Sequence, residues 1–273
     1  MRYQINIGFG GREKSLGLSS LINCSKSVNT IGSKLGCPVF NKKIPSEKWL
    51  RDYIDDSVNI MLTEESIGLD ESIQGAVFKK QNDNKSLPCK NLYLVYLSSE
   101  IIGNVKRVFV LTHEIGHILL HGRIINPGMM LNLTSQNWDA ESTLCKQMEA
   151  EANIFSLISV IPDIVIEKVI SSLPDGRKES ELVSYLGAVL SELYQEPFPY
   201  SLVRDRLLVR RMIRSSSRIS VDDALASMRI RSWIGSDTNY FLDDTGINST
   251  SQMDEYLVAK LGKEIRSMGL LMH

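Results

Sequence analysis

Residues 104–122 read NVKRVFVLTHEIGHILLHG, and this stretch constrains the fold more than any other. Val108, Phe109, Val110, Leu111, Ile115, Ile118, Leu119 and Leu120 are apolar nearly all the way round a helix, and such a helix is buried. Yet it carries His113, Glu114, His117 and His121. Burying imidazoles and a carboxylate without partners costs several kcal/mol, so whatever receives this helix must also satisfy them. Gly122 is placed to end it as a C-cap.

The spacing of the polar groups names a candidate solution. His113 and His117 are four apart, so they share one helical face about 6 Å apart along the axis. Two imidazoles so placed can share a tetrahedral zinc ion, with Glu114 beside the metal rather than on it. Zinc would polarise a water and a scissile carbonyl, and Glu114 would act as general base and then as acid. His-Glu-x-x-His arises by chance in under ~1% of chains of this length. Satisfied core histidines are the competing explanation. His121 lies about 12 Å from His113 and about 80° round the helix, which suggests a surface residue or a neighbour of the site rather than a ligand.

Catalytic zinc usually has three protein ligands. The chain has only 4 histidines, the fourth being His273, so the third ligand must be an acid or a thiol. A second helix, expected from about Asp139 to Val160 and stopped by Pro162, carries Glu149 and Glu151. They sit about 200° apart, so only one can face the metal. Glu149 shares its face with Asn153, which could hydrogen-bond a ligating histidine and fix its tautomer. Thiolate is also a good zinc ligand. Cys145, one turn before Glu149, and Cys89, in the loop SLPCKN, are candidates for an inhibitory thiol on the open position; plain buried or surface cysteines are the alternative.

HEIGHILLH followed by EAEANIFSLISVIP resembles the ImmA/IrrE family of zinc metallopeptidases, minimal gluzincins with a Glu-x-x-x-Asn helix after the HExxH helix. KRVFVLTHEIGH is similar to the family's RRRFTLAHELGH, and the likeness extends over roughly residues 45–170. It implies one catalytic zinc on His113, His117 and Glu149. It also implies a zincin-like domain over 45–172, with a small sheet packed on the HExxH helix. Members cleave helix-turn-helix repressors after DNA damage or other stress, in phage, mobile-element and defence loci. A repressor of that kind is therefore the partner the resemblance implies.

The remaining chain reads as α+β and mostly helical. Residues 45–66 look helical, with Ser46 as cap and Trp49, Tyr53 and Ile60 at helical spacing. IQGAVFKK (73–80) and NLYLVYLS (91–98) alternate as strands. The second strand is a candidate lining for a cleft, to which a substrate strand could add; Tyr93 and Tyr96 point to opposite faces, so at most one could reach an oxyanion. Residues 1–44 form a basic extension: positions 1–43 hold seven Lys/Arg, one acid, six glycines and six serines. GFGGREKS departs from a phosphate loop because Glu13 precedes Lys14. Residues 173–235 read as helical: two helices flank EPFP like a helix-turn-helix, and SVDDALASMRIRSW is a further short helix. Positions 201–232 hold eight arginines and three acids. Arg204, Arg206, Arg210, Arg211 and Arg214 are candidate DNA contacts, a solvated basic face being the alternative. Residues 236–273 form an amphipathic helical tail.

Composition excludes disorder: 43% of residues are apolar, 23% are charged and the net charge is −1. No run approaches the roughly 18 apolar residues of a membrane span. The four scattered cysteines fit reduced thiols, and the N-terminus lacks a secretory apolar core, so a cytoplasmic protein without membrane partners is expected. The sequence thus favours a regulatory zinc endopeptidase. The alternatives are a non-proteolytic DNA- or repressor-binding regulator on the same scaffold, and a toxin-like protease cleaving a host protein.

Overall fold

A computed structural model describes residues 43–65, 69, 73–81, 91–128, 130–131, 143–174, 178–215 and 255–271. These residues form a mostly helical α+β structure with one small mixed sheet. No helix among them is long and apolar enough to cross a membrane.

Helix α1 (Glu47–Asp55) begins where expected: the Ser46 hydroxyl accepts from the Trp49 N–H. It stops well short of residue 66. Asp55, Asp56 and Ser57 break it, and the β-branched and apolar run that follows becomes strand β1 (Ile60–Thr63). Leu50 and Ile54 are its buried residues, while Trp49 and Tyr53 stack on each other at the margin of the core. Strands β2 (Gly75–Gln81) and β3 (Asn91–Leu97) match the two alternating segments and pair antiparallel. With the two-residue β4 (Met130–Leu131) the order is β1-β3-β2-β4, β1 lying parallel to β3. β3 is therefore an interior strand with both edges hydrogen-bonded, and it has no edge to which a substrate could add, contrary to expectation.

Helix α2 (Asn104–Gly116) runs straight into a π-helical turn, His117–His121. Every residue from Val108 to Gly116 is buried, as an all-round apolar helix requires. One side of α2 packs on α1 and on β2 and β3, the other on helix α3 (Thr143–Val160). The α2–α3 contact is antiparallel and close. Gly116 lies against the Phe155 ring, and the Thr112 hydroxyl meets that of Ser156 at 3.1 Å. Pro162 ends α3 and serves as N-cap of α4 (Asp163–Ser172). The segments around EPFP form α5 (Glu179–Tyr194) and α6 (Tyr200–Ser215), separated by Gln195 in the left-handed conformation. The tail supplies α7 (Glu255–Ser267), which packs on α5 and α4. Ile44 bridges to Leu271, and one contiguous core joins residues from Ile44 to Leu270. The further helix expected at 220–233 and most of the N-terminal extension lie outside the described residues.

Candidate metal centre

The site is assembled where α2 and α3 cross. His113 and His117 project from the last turn of α2 and the start of the π turn, and Glu149 faces them from α3. His113 Nε2 is 3.0 Å from Glu149 Oε2, His117 Nε2 is 3.3 Å from Glu149 Oε1, and the two Nε2 atoms are 3.0 Å apart. All three residues are buried. Donors bound to one tetrahedral zinc at about 2.0–2.2 Å stand about 3.3–3.6 Å from one another; the observed 3.0–3.3 Å is a few tenths tighter, so a small opening of the cluster would admit one shared ion.

Hydrogen bonding around the rings sharpens the fit. His113 Nδ1 lies 2.9 Å from Asn153 Oδ1, so Nδ1 carries the proton and Nε2 presents its lone pair inward. Two imidazoles and a carboxylate that all turn lone pairs to one point need a cation between them. A proton on His113 relieves one contact, whereas a metal ion relieves all three. The charges follow this geometry. Burial works against the charged form of His113, but the Glu149 carboxylate overrides it and raises the pKa. His117 is pushed down to about 4 by burial, which Glu149 offsets only in part. Burial alone would raise Glu149; the facing His117 and His113 rings hold it well below the carboxylate range.

Glu114 sits beside this cluster and outside it. Its side chain is buried, and Oε2 has no hydrogen-bond partner among the described residues. Burial pushes its carboxyl up to about 8, against the attraction of His113 and with the repulsion of Glu149. Gly75, at the start of β2, makes the room: a Cβ there would stand 2.6 Å from Glu114 Oε1.

Of the two places expected for His121, the structure shows the neighbour of the site and not the surface residue. It is wholly buried, its Nδ1 is 3.2 Å from His117 Nδ1, and its Nε2 is 3.0 Å from Glu151 Oε2. The π turn is the reason. It winds more slowly than an α-helix, so four residues fall just short of a full turn instead of passing it, and His121 swings back toward the site. Glu151, on the other side of α3 from Glu149, is thus engaged too.

Other groups that hold the site have no local signal in the sequence. The buried Lys79 ammonium donates to the carbonyls of Gly122 and Ile125 at 2.8 and 2.7 Å, and the Tyr93 hydroxyl donates to Gly122 at 2.9 Å. A cation and a hydroxyl thus close the C-terminal end of the helix that carries His113 and His117. Gly122 is right-handed rather than a left-handed cap, and a Cβ there would come 2.7 Å from the Tyr93 oxygen. Tyr96 lies in a separate small cluster with Ile73 and Ala76. At the other end of α2, Glu196 accepts from the N–H groups of Asn104 (2.8 Å) and Val105.

The arginine-rich helix turns partly inward. Arg206 is buried, donating to Ile161 O and Asp163 at 2.8 Å each, and Arg210 binds Glu167 at 3.2 Å. Arg206 is thereby a structural cation and not a surface contact for DNA, because its position on α6 faces α3 and α4. Arg204 is exposed. The side chains of Arg211, Arg214 and Cys145, and all of Cys89, lie outside the described residues. Comparison of the chain with family models, with curated proteins and with solved structures gives no match.

Proposed function

We propose that the chain is a zinc-dependent endopeptidase with His113, His117 and Glu149 as ligands. The observation that carries this reading is the convergence of three buried donors beside a fourth, unligated carboxyl, Glu114. A bound zinc ion would supply Lewis-acid polarisation of a water and of the scissile carbonyl. Asn153 holds His113 in the ligating tautomer. Glu114 takes a proton from the attacking water and returns it to the leaving amine; a cation bound beside it would lower the carboxyl from its metal-free value of about 8 and so ionise it near neutral pH. Burial of these side chains at the α2–α3 crossing strengthens their electrostatic interactions. β4 pairs with β2 only at Val77 and Phe78, so the edge of β2 at Gly75 and Ala76, next to Glu114, lies outside that pairing. An extended peptide could bind there by main-chain hydrogen bonds.

The likeness of HEIGHILLH and EAEAN to the ImmA/IrrE pattern supports a helix-turn-helix repressor as substrate and a stress-responsive role in the cytoplasm. The test is incubation of the zinc-loaded chain with the repressor encoded beside its gene, with fragments identified by mass spectrometry. Wild type is expected to cleave it. Glu114→Gln is expected to retain about one zinc per chain and to lose activity by about 10²–10⁴-fold. Purified wild type that neither contains nor takes up zinc would refute the metal reading.

A further inference from the structure

We propose that His121 and Glu151 form a positioning relay that fixes His117 in its metal-ready tautomer. The proposal rests on the metal reading above. His117 is not held as His113 is. Where His113 meets a neutral amide, His117 meets a second imidazole, and that imidazole meets a carboxylate: Nδ1 to Nδ1 at 3.2 Å, then Nε2 to Glu151 Oε2 at 3.0 Å.

Two carboxylates compete to order the protons along this chain, and the far one is closer: Glu151 stands 3.0 Å from His121 Nε2, Glu149 3.3 Å from His117 Nε2. A carboxylate oxygen accepts, so the Nε2 of His121 that faces Glu151 carries the proton. A neutral imidazole protonated there has a bare Nδ1, which can only accept. His117 must then carry its proton on Nδ1, which leaves its Nε2 lone pair facing His113 and Glu149. The reverse order would set two acceptors, His121 Nε2 and the carboxylate, against each other at 3.0 Å inside the core. Glu151 thus selects the tautomer of a ring it does not touch. An anion at the end of the chain also makes His117 a stronger donor than a neutral partner would. The π turn is what brings His121 into line, so this turn and Glu151 belong to one device.

Two measurements test the relay. The first needs no substitution, so misfolding cannot obscure it. With 4 histidines in the chain, long-range ¹H–¹⁵N spectra of the histidine-labelled, metal-free protein at neutral pH can resolve each ring. The expected result is His117 protonated on Nδ1 and His121 on Nε2; the opposite tautomer at either ring overturns the proposal. The second is zinc affinity by chelator competition. Glu151→Leu and His121→Phe are each expected to weaken binding about 10–100-fold. Glu151→Gln, whose amide oxygen can still accept, should lose less. If wild type binds zinc and both Glu151→Leu and His121→Phe stay within about twofold of it, the relay is wrong and the metal reading stands. Wild type that binds no zinc removes the metal reading and the relay's purpose with it.

Discussion

At Glu114 burial of a carboxyl works against stability as pH rises. Its carboxyl ordinarily titrates at 4.5 and is pushed to about 8 by burial. Between those values the folded chain binds more protons than the unfolded one, so Glu114 makes stability fall as pH rises through the window. Glu149 has the opposite sign: its depressed pKa contributes stability that is present above the ordinary value and lost in acid. Glu114→Gln removes the first effect, together with the contribution Glu114 makes to the raised pKa of His113. In metal-free protein its melting temperature should match wild type near pH 5 and exceed it at pH 8, by on the order of 1–3 kcal/mol or several degrees. Calorimetry at the two pH values checks this, and a difference that does not grow with pH would count against a carboxyl held neutral by burial. His113, Glu114 and His117 were legible in the sequence because a buried helix fixes which side chains converge. Helical spacing offered Glu149 or Glu151, and Asn153 together with the family resemblance favoured Glu149. His121 was legible only as a neighbour four residues beyond His117; its burial and its contact with Glu151 were not, since they belong to the π winding of residues 117–121.

The next scale concerns how elements are held against one another. β2 approaches α2 so closely at Gly75 that a Cβ would meet Val110 Cγ1 at 2.5 Å and Glu114 Oε1 at 2.6 Å. Both atoms belong to buried side chains of α2, so Gly75→Ala must displace the strand or rotate the Glu114 carboxyl. The expected cost is about 1–3 kcal/mol, with repressor cleavage falling while zinc content stays near that of wild type, because the three ligands lie on α2 and α3. Parallel loss of zinc and activity would place the damage in the α2–α3 crossing instead. The strand itself was readable from its alternation, but a glycine within it reads only as a weak point; the close approach is a tertiary fact. Glu196 shows the same limit. It caps α2 from a turn more than ninety positions away, where sequence identifies a turn and nothing about what it reaches. Arg206 is the converse case, in which a basic run suggests a surface and the fold spends one of its arginines on binding α6 to Ile161 and Asp163.

Across the whole molecule the C-terminal helix decides how far the site depends on remote packing. Leu261 and Ile265 are buried against α5 and α4, and Leu270 joins the same core cluster that contains Ile115 and Ile158 of the site helices. Arg266 with Glu192 and Lys168 with Glu264 pair across these contacts, but such surface pairs contribute less than about 1 kcal/mol, so the apolar contact carries the attachment. If α7 and the helices of the candidate site, α2 and α3, unfold as one unit, a cavity in the tail must be felt at the site. Ile265→Ala should then cost about 2–4 kcal/mol and lower the melting temperature by roughly 5–10 °C, whereas Tyr256→Ala, 77% exposed on the same helix, should change little. Hydrogen exchange locates the loss. In a single cooperative unit the slowest amides of α2 lose protection by the same factor as those of α7. If only the α7 amides respond, residues 236–273 are a separately folding tail, as the sequence division suggested, and the continuous core does not bind the tail to the site in a single cooperative transition.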